Sequence, residues 1–215
     1  MRTLVISDVI TPLLYSPQIK DRFPSVNLII SCGDLPFYYL EYIISLLCTP
    51  LFFVRGNHDP EIEHGEGMSW TSPGGGQDLH RKVVRYKGLL LAGVEGCLRY
   101  REGPFQYTQS EMWLNVSALI PHLLWNRLRY GRYLDIFVTH APPRGIHEMD
   151  DLPHQGVDAF RWFIQKFQPR YHLHGHIHVL KPNIITQTQI MTTMVINAYG
   201  FCEITPDIPG REQKK

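Results

Sequence analysis

The sequence predicts an α/β fold in which a layered core of mixed β-sheets is flanked by helices. Short apolar runs rich in Val, Ile and Phe alternate along the chain with longer segments whose apolar residues have helical spacing. That alternation is typical of layered α/β domains. Hydrophobic residues make up 44% of the chain and charged residues 19%, which excludes a long disordered or fibrous protein.

The apolar runs are short enough to be strands and apolar enough to be buried on both faces. The predicted strands cover residues 3–7, 27–31, 50–54, 134–139 and 171–174. The predicted helices between them cover residues 36–48, 109–130 and 156–168. The chain therefore supplies enough strands for a central sheet core with helices on its outside.

Three other segments complete the expected organisation. Residues 81–96 place a Lys-Gly pair between two apolar runs, and residues 193–205 have a similar pattern, so both are predicted hairpins that give the sheets antiparallel edges. Residues 60–80 are Gly-rich and aperiodic and predict a long loop after a strand. Residues 210–215 are expected to form a frayed tail.

Length and charge limit the range of functions. A chain of 215 residues fits one domain, predicted to span residues 1–215. Lys and Arg number 21 against 20 Asp and Glu, so no large positive field attracts nucleic acid or anionic lipid. The four cysteines form no C-x-x-C pair, which argues against a disulfide framework or a thiolate zinc site, and they are expected to be reduced core thiols. With no signal peptide or apolar membrane span recognised, the expected location is the cytoplasm.

Polar side chains suited to metal binding follow the predicted strands one after another. They are Asp8, Asp34, Asn57, His58, Asp59, His140, His176 and His178. Taken singly, each could be a helix cap or turn residue, but the carboxyl ends of strands in layered sheets share one edge, where ligands bind. Carboxylates gathered there need a cation between them, and a mixture of Asp, Asn and His suits manganese, iron or zinc.

The order of the motifs resembles that of the calcineurin-like metallophosphoesterases. Asp8 is followed by G-D at 33–34, G-N-H-D at 56–59, T-H at 139–140 and G-H-x-H at 175–178. The segments 139–151 and 167–178 resemble most the cyclic-nucleotide-type and related phosphodiesterase branch. The resemblance implies a metal site at the strand carboxyl ends, two divalent cations, and phosphodiester hydrolysis by metal-bound hydroxide.

Carried over residue by residue, the resemblance implies a role for each motif residue. Asp34 bridges two metals. Asn57, His140 and His176 complete one site, whereas Asp8 and His178 belong to the other. His58 is the general acid and Asp59 orients it. His172 and His174 match no motif position and are expected to be structural.

The sequence departs from the family pattern at two positions. Ile10 replaces a histidine ligand of the first motif, and Phe37 replaces a supporting Asp of the second. The loss at Ile10 is expected to weaken the Asp8 and His178 site. Either Ile10 faces the core and a water completes the coordination, or another side chain does so, the candidates being His64, His80, His147, Asp150, Asp151 and His154. Those after residue 146 are better placed to meet a substrate.

Candidate substrate-binding residues lie close to the motifs. Arg55 and Arg144 could contact phosphate oxygens, although an ordinary surface position is the simpler interpretation. His147 and His154 lie in the loop after His140. Gly156 lies at a predicted helix start, whose free N–H groups would favour an anion, although a plain cap is equally simple.

The expected partner is a small phosphoester substrate, without a strong nucleic-acid or membrane signal. Residues 110–133 mix Trp and Leu with arginines. The simplest interpretation is a helical region with a core-facing side and solvated arginines on the other; the alternatives are a homo-oligomer contact, a membrane surface or RNA. Two other functions stay open: a non-catalytic scaffold on the same fold, favoured by Ile10, and a nuclease, disfavoured by the near-zero net charge.

Overall fold

The computed structural model describes residues 1–65, 67–181 and 184–207. The tail predicted for residues 210–215 lies outside the described residues. The helices are α1 (Ile19–Arg22), α2 (Phe37–Leu47), α3 (Gln109–Ser117), α4 (Ile120–Tyr130) and α5 (Asp158–Phe167). The strands are β1 (Thr3–Ser7), β2 (Leu28–Ser31), β3 (Leu51–Phe53), β4 (Glu63–Gly65), β5 (Met68–Trp70), β6 (Gly76–Asp78), β7 (Val83–Tyr86), β8 (Leu89–Val94), β9 (Cys97–Leu98), β10 (Gln106–Tyr107), β11 (Ile136–Thr139), β12 (Tyr171–His174), β13 (Gln187–Ile190), β14 (Thr193–Asn197) and β15 (Gly200–Ile204).

Two mixed sheets form the centre of the molecule. The first has the order β15-β1-β2-β3-β6, in which β15 is antiparallel to β1 and the other pairs are parallel. The second has the order β13-β14-β12-β11-β8-β7, with antiparallel strands at both edges. The predicted α/β class with mixed sheets and antiparallel edges is thus confirmed.

The two sheets pack face to face, because alternate residues of each strand point to opposite faces. Val5 and Ile30 of the first sheet share a buried cluster with Leu91, Val138 and Leu173 of the second. The outer face of the first sheet packs against α1 and α2, and that of the second packs against α3, α4 and α5. The result is a four-layer sandwich with helices outside and apolar strands inside, which explains why the predicted strands lack polar faces.

The hairpin predicted for residues 193–205 is wrong. Thr193–Asn197 pairs with β12 and β13 in the second sheet, whereas Gly200–Ile204 pairs with β1 in the first. The chain crosses between the sheets, because β14 pairs with β12 on the side opposite β11, and β15 pairs with β1 on the side opposite β2. Gly200 has a φ of 78°, which allows the change of direction.

Two other predictions need correction. Residues 60–80 are not a structureless loop: β4 and β5 form a small hairpin there and β6 extends the first sheet. Residues 109–130 form two helices. Pro121 cannot donate a backbone hydrogen bond, so the helical ladder stops at Ser117 and restarts with Pro121 in the first turn of α4.

The four cysteines are free thiols, but only Cys32 and Cys97 are fully buried and Cys48 is exposed. The apolar residues Leu124, Trp125 and Leu128 of α4 are 55%, 62% and 80% exposed. The homo-oligomer contact through residues 110–133 stays a prediction. Within the described residues, no helix is both long and apolar enough to cross a membrane.

Candidate metal centre

The carboxyl ends of five parallel strands from the two sheets deliver polar side chains to one rim. Asp8 directly follows β1. Asp34 lies in the loop after β2, and Asn57 lies in the loop after β3. His140 follows β11 and His176 follows β12 by two residues. The face-to-face packing of the sheets therefore brings together groups that are up to 168 positions apart in sequence, as the bond between Asp8 and His176 shows.

Three acceptor atoms converge on one nitrogen of His140. Its Nε2 lies 3.0 Å from Asn57 Oδ1, 3.0 Å from His176 Nδ1 and 3.3 Å from Asp34 Oδ2. Ligand atoms of Asp34, His140 and His176 all lie within 4.8 Å of one another. One carboxylate, one amide and two imidazoles thus aim their lone pairs at a common point, which is the donor set that borderline divalent cations prefer.

Backbone carbonyls fix which nitrogen each imidazole presents. His140 Nδ1 donates to Cys32 O at 2.8 Å, which leaves Nε2 to face the centre. His176 Nε2 donates to Pro153 O at 2.8 Å, which leaves Nδ1 to face the centre. Metal-binding histidines are usually oriented by a hydrogen bond to their other nitrogen in this way.

The backbone around the centre is held in unusual conformations. Asp8, Asp34 and His176 have φ values of 66°, 58° and 67°, in the left-handed region that non-glycine residues rarely adopt. Such strain tends to be concentrated at functional sites. A Cβ on Gly56 would overlap the Asp34 carboxylate and one on Gly175 would overlap Asp8, so both glycines leave room for these side chains.

Electrostatics keep a positive charge at the centre when no metal is bound. Burial alone would lower the pKa of His140, but the charge of Asp34 and its hydrogen bond outweigh this effect and raise the pKa to about 9. Burial raises the pKa of Asp34, but His140 lowers it further, to about 2. Burial, together with the charge of His140, lowers the pKa of His176 to about 3. At neutral pH the centre therefore contains a carboxylate, an imidazolium and a neutral imidazole.

Asp8 lies beside this cluster with one oxygen unused. Its Oδ1 accepts the backbone N–H of His176 at 2.9 Å, whereas its Oδ2 is buried and has no hydrogen-bond partner within the described part of the chain. A buried carboxylate oxygen without a partner is costly. Together with the converging donors, this orphaned oxygen fits a cation-binding rim: Asp34, Asn57, His140 and His176 would hold one divalent cation, and Asp8 lies beside them.

The predicted second site is less compact than the first. His178 is exposed, and its ring packs in a tilted orientation against that of Tyr199, with centroids 5.0 Å apart. Within the described residues, neither Asp8 nor His178 belongs to the group of ligand atoms that converges on His140. Ile10 is 39% exposed, so the expectation that it faces the core is wrong.

The side chains that could replace the histidine ligand missing at Ile10 lie in different parts of the molecule. His154 comes nearest to the centre: its ring lies 5.2 Å from that of His176, and its Nδ1 bonds Asp151 Oδ2 at 2.6 Å. His64 bonds Ser69 in the β4–β5 hairpin. His80 accepts the backbone N–H of Glu95. Asp150 is exposed.

His147, the remaining candidate for that place, belongs to a separate buried chain of histidines. Its Nδ1 lies 2.9 Å from His174 Nε2, and its Nε2 lies 2.9 Å from Thr188 Oγ1. His172 is buried against Phe137 and bonds Thr139. His172 and His174 thus lie in the protein interior, as expected for structural residues.

His58 and Asp59 occupy opposite sides of the G-N-H-D loop. His58 is exposed; its backbone N–H donates to Asp34 Oδ1 at 2.8 Å, and its Nδ1 lies 3.5 Å from the Arg101 guanidinium. Asp59 is buried, and one of its oxygens accepts the backbone N–H groups of Gly56 at 2.7 Å and Asp34 at 3.0 Å. Burial, with the charge of Asp34, raises the pKa of Asp59 to about 7. Asp59 therefore shapes the loop that carries His58.

The predicted substrate contacts are mostly engaged elsewhere. The Arg55 guanidinium bonds Thr71 O and lies over the Phe105 ring. Arg144 is exposed, 3.7 Å from Glu148. Gly156 does not offer a free N–H at a helix start, because α5 begins at Asp158 and the Gly156 N–H donates to Glu148 at 2.7 Å.

Two residues near the centre escaped the sequence prediction. Tyr100 accepts a hydrogen bond from Asn57 Nδ2 at 3.1 Å, and Arg101 lies next to His58. Gln106 Oε1 positions both by accepting their backbone N–H groups at 3.4 and 3.3 Å. They lie in a loop without a motif, so only the basic and aromatic character of the pair could have indicated them. Because Tyr100 engages the amide nitrogen, Asn57 Oδ1 is the atom that faces His140.

Comparisons with known proteins identify the family. A family model described as calcineurin-like phosphoesterase matches residues 1–180. The lariat debranching enzyme of Danio rerio is 25% identical to this chain, over 59% of the chain and 26% of that enzyme. The chain thus spans about a quarter of the length of the curated relative that it matches.

Solved structures share the fold. The protein TT1561 of Thermus thermophilus has a TM-score of 0.56 and 17% identity, over 93% of this chain and 89% of that one. GAP50, the anchor in the inner membrane complex of Plasmodium, has a TM-score of 0.54 and 12% identity, over 93% of this chain and 71% of that one. At these identities the likeness concerns the fold alone.

Replacing Tyr100 with Phe should weaken metal binding. Without the hydroxyl, Asn57 Nδ2 loses its acceptor and the amide can rotate, so we expect the Mn²⁺ affinity to fall by roughly 10-fold. Competition with a fluorescent chelator measures this change. Tyr107→Phe is the matched control, since its hydroxyl bonds Glu95; an equal fall in both variants would contradict a positioning role for Tyr100.

Metal binding at pH 7 should release at least one proton. His140, with a pKa of about 9, carries a proton that a cation must displace, whereas Asp34 is already ionised. Metal affinity should therefore rise with pH up to about pH 9. Calorimetry in buffers of different ionisation enthalpy counts the protons, and a count of zero would show that His140 is neutral in the metal-free protein.

Proposed function

The chain belongs to the calcineurin-like phosphoesterase family, and from that premise we propose that it hydrolyses phosphodiesters at a metal centre with His58 as general acid. Membership of the family implies metal-dependent phosphoester hydrolysis. The observation that carries the finer proposal is the position of His58. It is the exposed imidazole whose backbone is tied directly to the Asp34 carboxylate.

The proposed donors of the centre are Asp34, Asn57, His140 and His176 on one side and Asp8 with His178 on the other. Bound divalent cations, of manganese, iron or zinc, would polarise the phosphoryl oxygens and make hydroxide available as nucleophile at neutral pH. The hydrogen bonds to Cys32 O and Pro153 O hold both imidazoles in the tautomer that binding requires. We propose that Asp34 would be the ligand shared by the two sites; its Oδ2 lies 3.3 Å from His140 Nε2, and its Oδ1 accepts the His58 backbone N–H.

His58 would act on the leaving group. An alkoxide departing from a phosphodiester is a poor leaving group, so a proton delivered to its oxygen lowers the barrier. The imidazole is exposed, where it can meet a substrate oxygen. Arg101, 3.5 Å away, would contact a phosphoryl oxygen and orient the ester. The hydrogen bond from the His58 backbone to Asp34 keeps the acid and the metal ligands in a fixed relation.

Two alternatives have specific support. A non-catalytic scaffold is favoured by Ile10, which removes a ligand, but an exposed imidazole beside the centre serves no evident purpose in a scaffold. A nuclease is favoured by the similarity to the lariat debranching enzyme, whereas the near-equal numbers of basic and acidic residues disfavour long polyanions.

A substrate panel separates these functions. The chain, stripped of metal and reloaded with Mn²⁺, Fe²⁺ or Zn²⁺, is assayed with bis(p-nitrophenyl) phosphate, p-nitrophenyl phosphate, cyclic nucleotides, dinucleotides and a branched RNA. The proposal predicts metal-dependent turnover of small diesters above that of the monoester. Negligible turnover with every metal would favour the scaffold, and turnover confined to RNA would favour the nuclease.

Replacing His58 with Ala should leave metal content nearly unchanged and lower turnover of alkyl phosphodiesters by roughly 100-fold or more. The deficit should shrink with a nitrophenolate leaving group, which needs no proton. Elemental analysis and steady-state kinetics test both statements. His64→Ala, which removes an exposed imidazole from the β4–β5 hairpin, is the control. Loss of metal in His58→Ala would show that this residue is a ligand instead.

Replacing Ile10 with His should raise metal occupancy on the Asp8 side. Ile10 is 39% exposed, so an imidazole there avoids the packed core. We expect the natural chain to bind unequal amounts of metal at its two sites and to lose the Asp8-side ion first on dialysis against a mild chelator; Ile10→His should reduce that loss. Val9→His, one residue away and also 39% exposed, is the control. Equal occupancy of both sites in the untreated natural chain would refute the weak-site prediction.

A further inference from the structure

An open cavity of about 480 Å³ lies next to the candidate metal centre. Its walls include five apolar side chains: Ile146, Met149, Ile177, Ile184 and Ile185. His178, the predicted ligand, also lines it, and Ile177 directly follows His176 in the chain. The segment 176–178 therefore connects the metal centre with the cavity.

The segment that joins them is fixed in place. Asn197 Nδ2 donates to Ile177 O at 2.7 Å, and the Ile177 N–H donates to Gly175 O at 2.8 Å. These bonds hold the backbone so that His176 points into the metal centre while the Ile177 side chain lines the cavity. The cavity wall and the ligand thus share one rigid stretch of backbone.

Three polar side chains of the cavity, those of His147, Glu148 and Thr188, are already paired. His174 Nδ1 donates to Gly175 O, so its Nε2 accepts from His147 Nδ1, and His147 Nε2 in turn accepts from the Thr188 hydroxyl. Burial lowers the pKa of His147 to about 4, so the ring stays neutral. Both oxygens of Glu148 accept backbone N–H groups, from Gly145 at 2.8 Å and Gly156 at 2.7 Å.

The charge pattern limits what the cavity can bind. Among its described lining residues there is no Lys or Arg, so a second phosphate would enter without a counter-charge. Apolar walls with few free polar groups favour an uncharged organic group. Met149 and Ile185 are 49% and 69% exposed, so they offer apolar area that a bound group would remove from water.

We propose that this cavity binds an uncharged, mainly apolar group of the substrate, of aryl size or larger, esterified to the phosphate at the metal centre. The proposal deepens the proposed function and rests on it for the position of the phosphate. The substrate class is then a phosphodiester with one bulky apolar arm, and His178 lies between that arm and the metal ligands. Small diesters that lack such an arm would leave the cavity unused.

Two diesters with the same leaving group test the proposal on the Mn²⁺-loaded full chain. Phenyl p-nitrophenyl phosphate and methyl p-nitrophenyl phosphate share the nitrophenolate leaving group, which His58 faces in the proposed function, and differ only in the second ester group, the one that would enter the cavity. We expect kcat/KM for the phenyl diester to exceed that for the methyl diester by about 10-fold or more. In the double variant Met149→Ser with Ile185→Ser, this ratio should fall to about one third or less of its natural value, because apolar contact area is lost.

Leu180→Ser provides the matched control. Leu180 follows His178 by two residues and is 77% exposed, but it is not among the residues that line the cavity, so its replacement should leave the ratio unchanged. A ratio near one in the natural chain, or a ratio that survives in the double variant, would overturn the proposal. A fall of the same size in Leu180→Ser would overturn it too, since the effect would not come from the cavity.

A binding measurement separates failure of the cavity from failure of the proposed function. Phenylphosphonate and methylphosphonate cannot be hydrolysed as esters, and calorimetry gives their affinities for the Mn²⁺-loaded chain and the same variants. We expect phenylphosphonate to bind about 10-fold more tightly, and this preference to shrink in the double variant. If neither diester is turned over, the proposed function fails and the phosphonate preference still decides the cavity. Equal or undetectable phosphonate binding would overturn the cavity proposal.

Discussion

The convergence of three lone pairs on Nε2 of His140 is the interaction around which the rim is built. The three atoms that face it are Asp34 Oδ2, Asn57 Oδ1 and His176 Nδ1. They belong to three different loops. Buried acceptors placed so close together would repel one another without a positive charge among them. In the metal-free protein that charge is the imidazolium of His140, whose pKa the Asp34 carboxylate holds high against burial. A bound divalent cation would supply this positive charge instead.

This constraint explains several features of the surrounding backbone. The left-handed conformations of Asp8, Asp34 and His176 turn their side chains or N–H groups inward at the strand ends. Asp59 stabilises the strained loops by accepting the N–H groups of Gly56 and Asp34 with one oxygen. The rim is also asymmetric: the His140 side has a complete donor set, whereas the Asp8 side has an orphaned oxygen, an exposed His178 and Ile10. The apolar cavity lies on the His178 side, so the proposed weaker metal position and the proposed substrate arm would be neighbours.

The sequence predicted the central strands and the order of the site residues because both depend on local patterns. Apolar runs such as residues 3–7 are stable only as strands buried between two layers. A motif residue directly after such a strand lies at its carboxyl end. Residues 193–205 were mispredicted because a local pattern does not reveal whether two strands pair with each other or with different sheets. Tyr100 and the bond between Gly156 and Glu148 depend on tertiary contacts, as does the exposure of Ile10, and no spacing rule indicates them.

Anomalous diffraction from crystals of the chain grown with Mn²⁺ locates the cation at the rim independently of turnover. We expect a peak bound by Asp34, Asn57, His140 and His176, with His140 presenting Nε2 and His176 presenting Nδ1, and a second, weaker peak beside Asp8. A fully occupied chain whose cation lies elsewhere, or the absence of any peak among those four side chains, would contradict it.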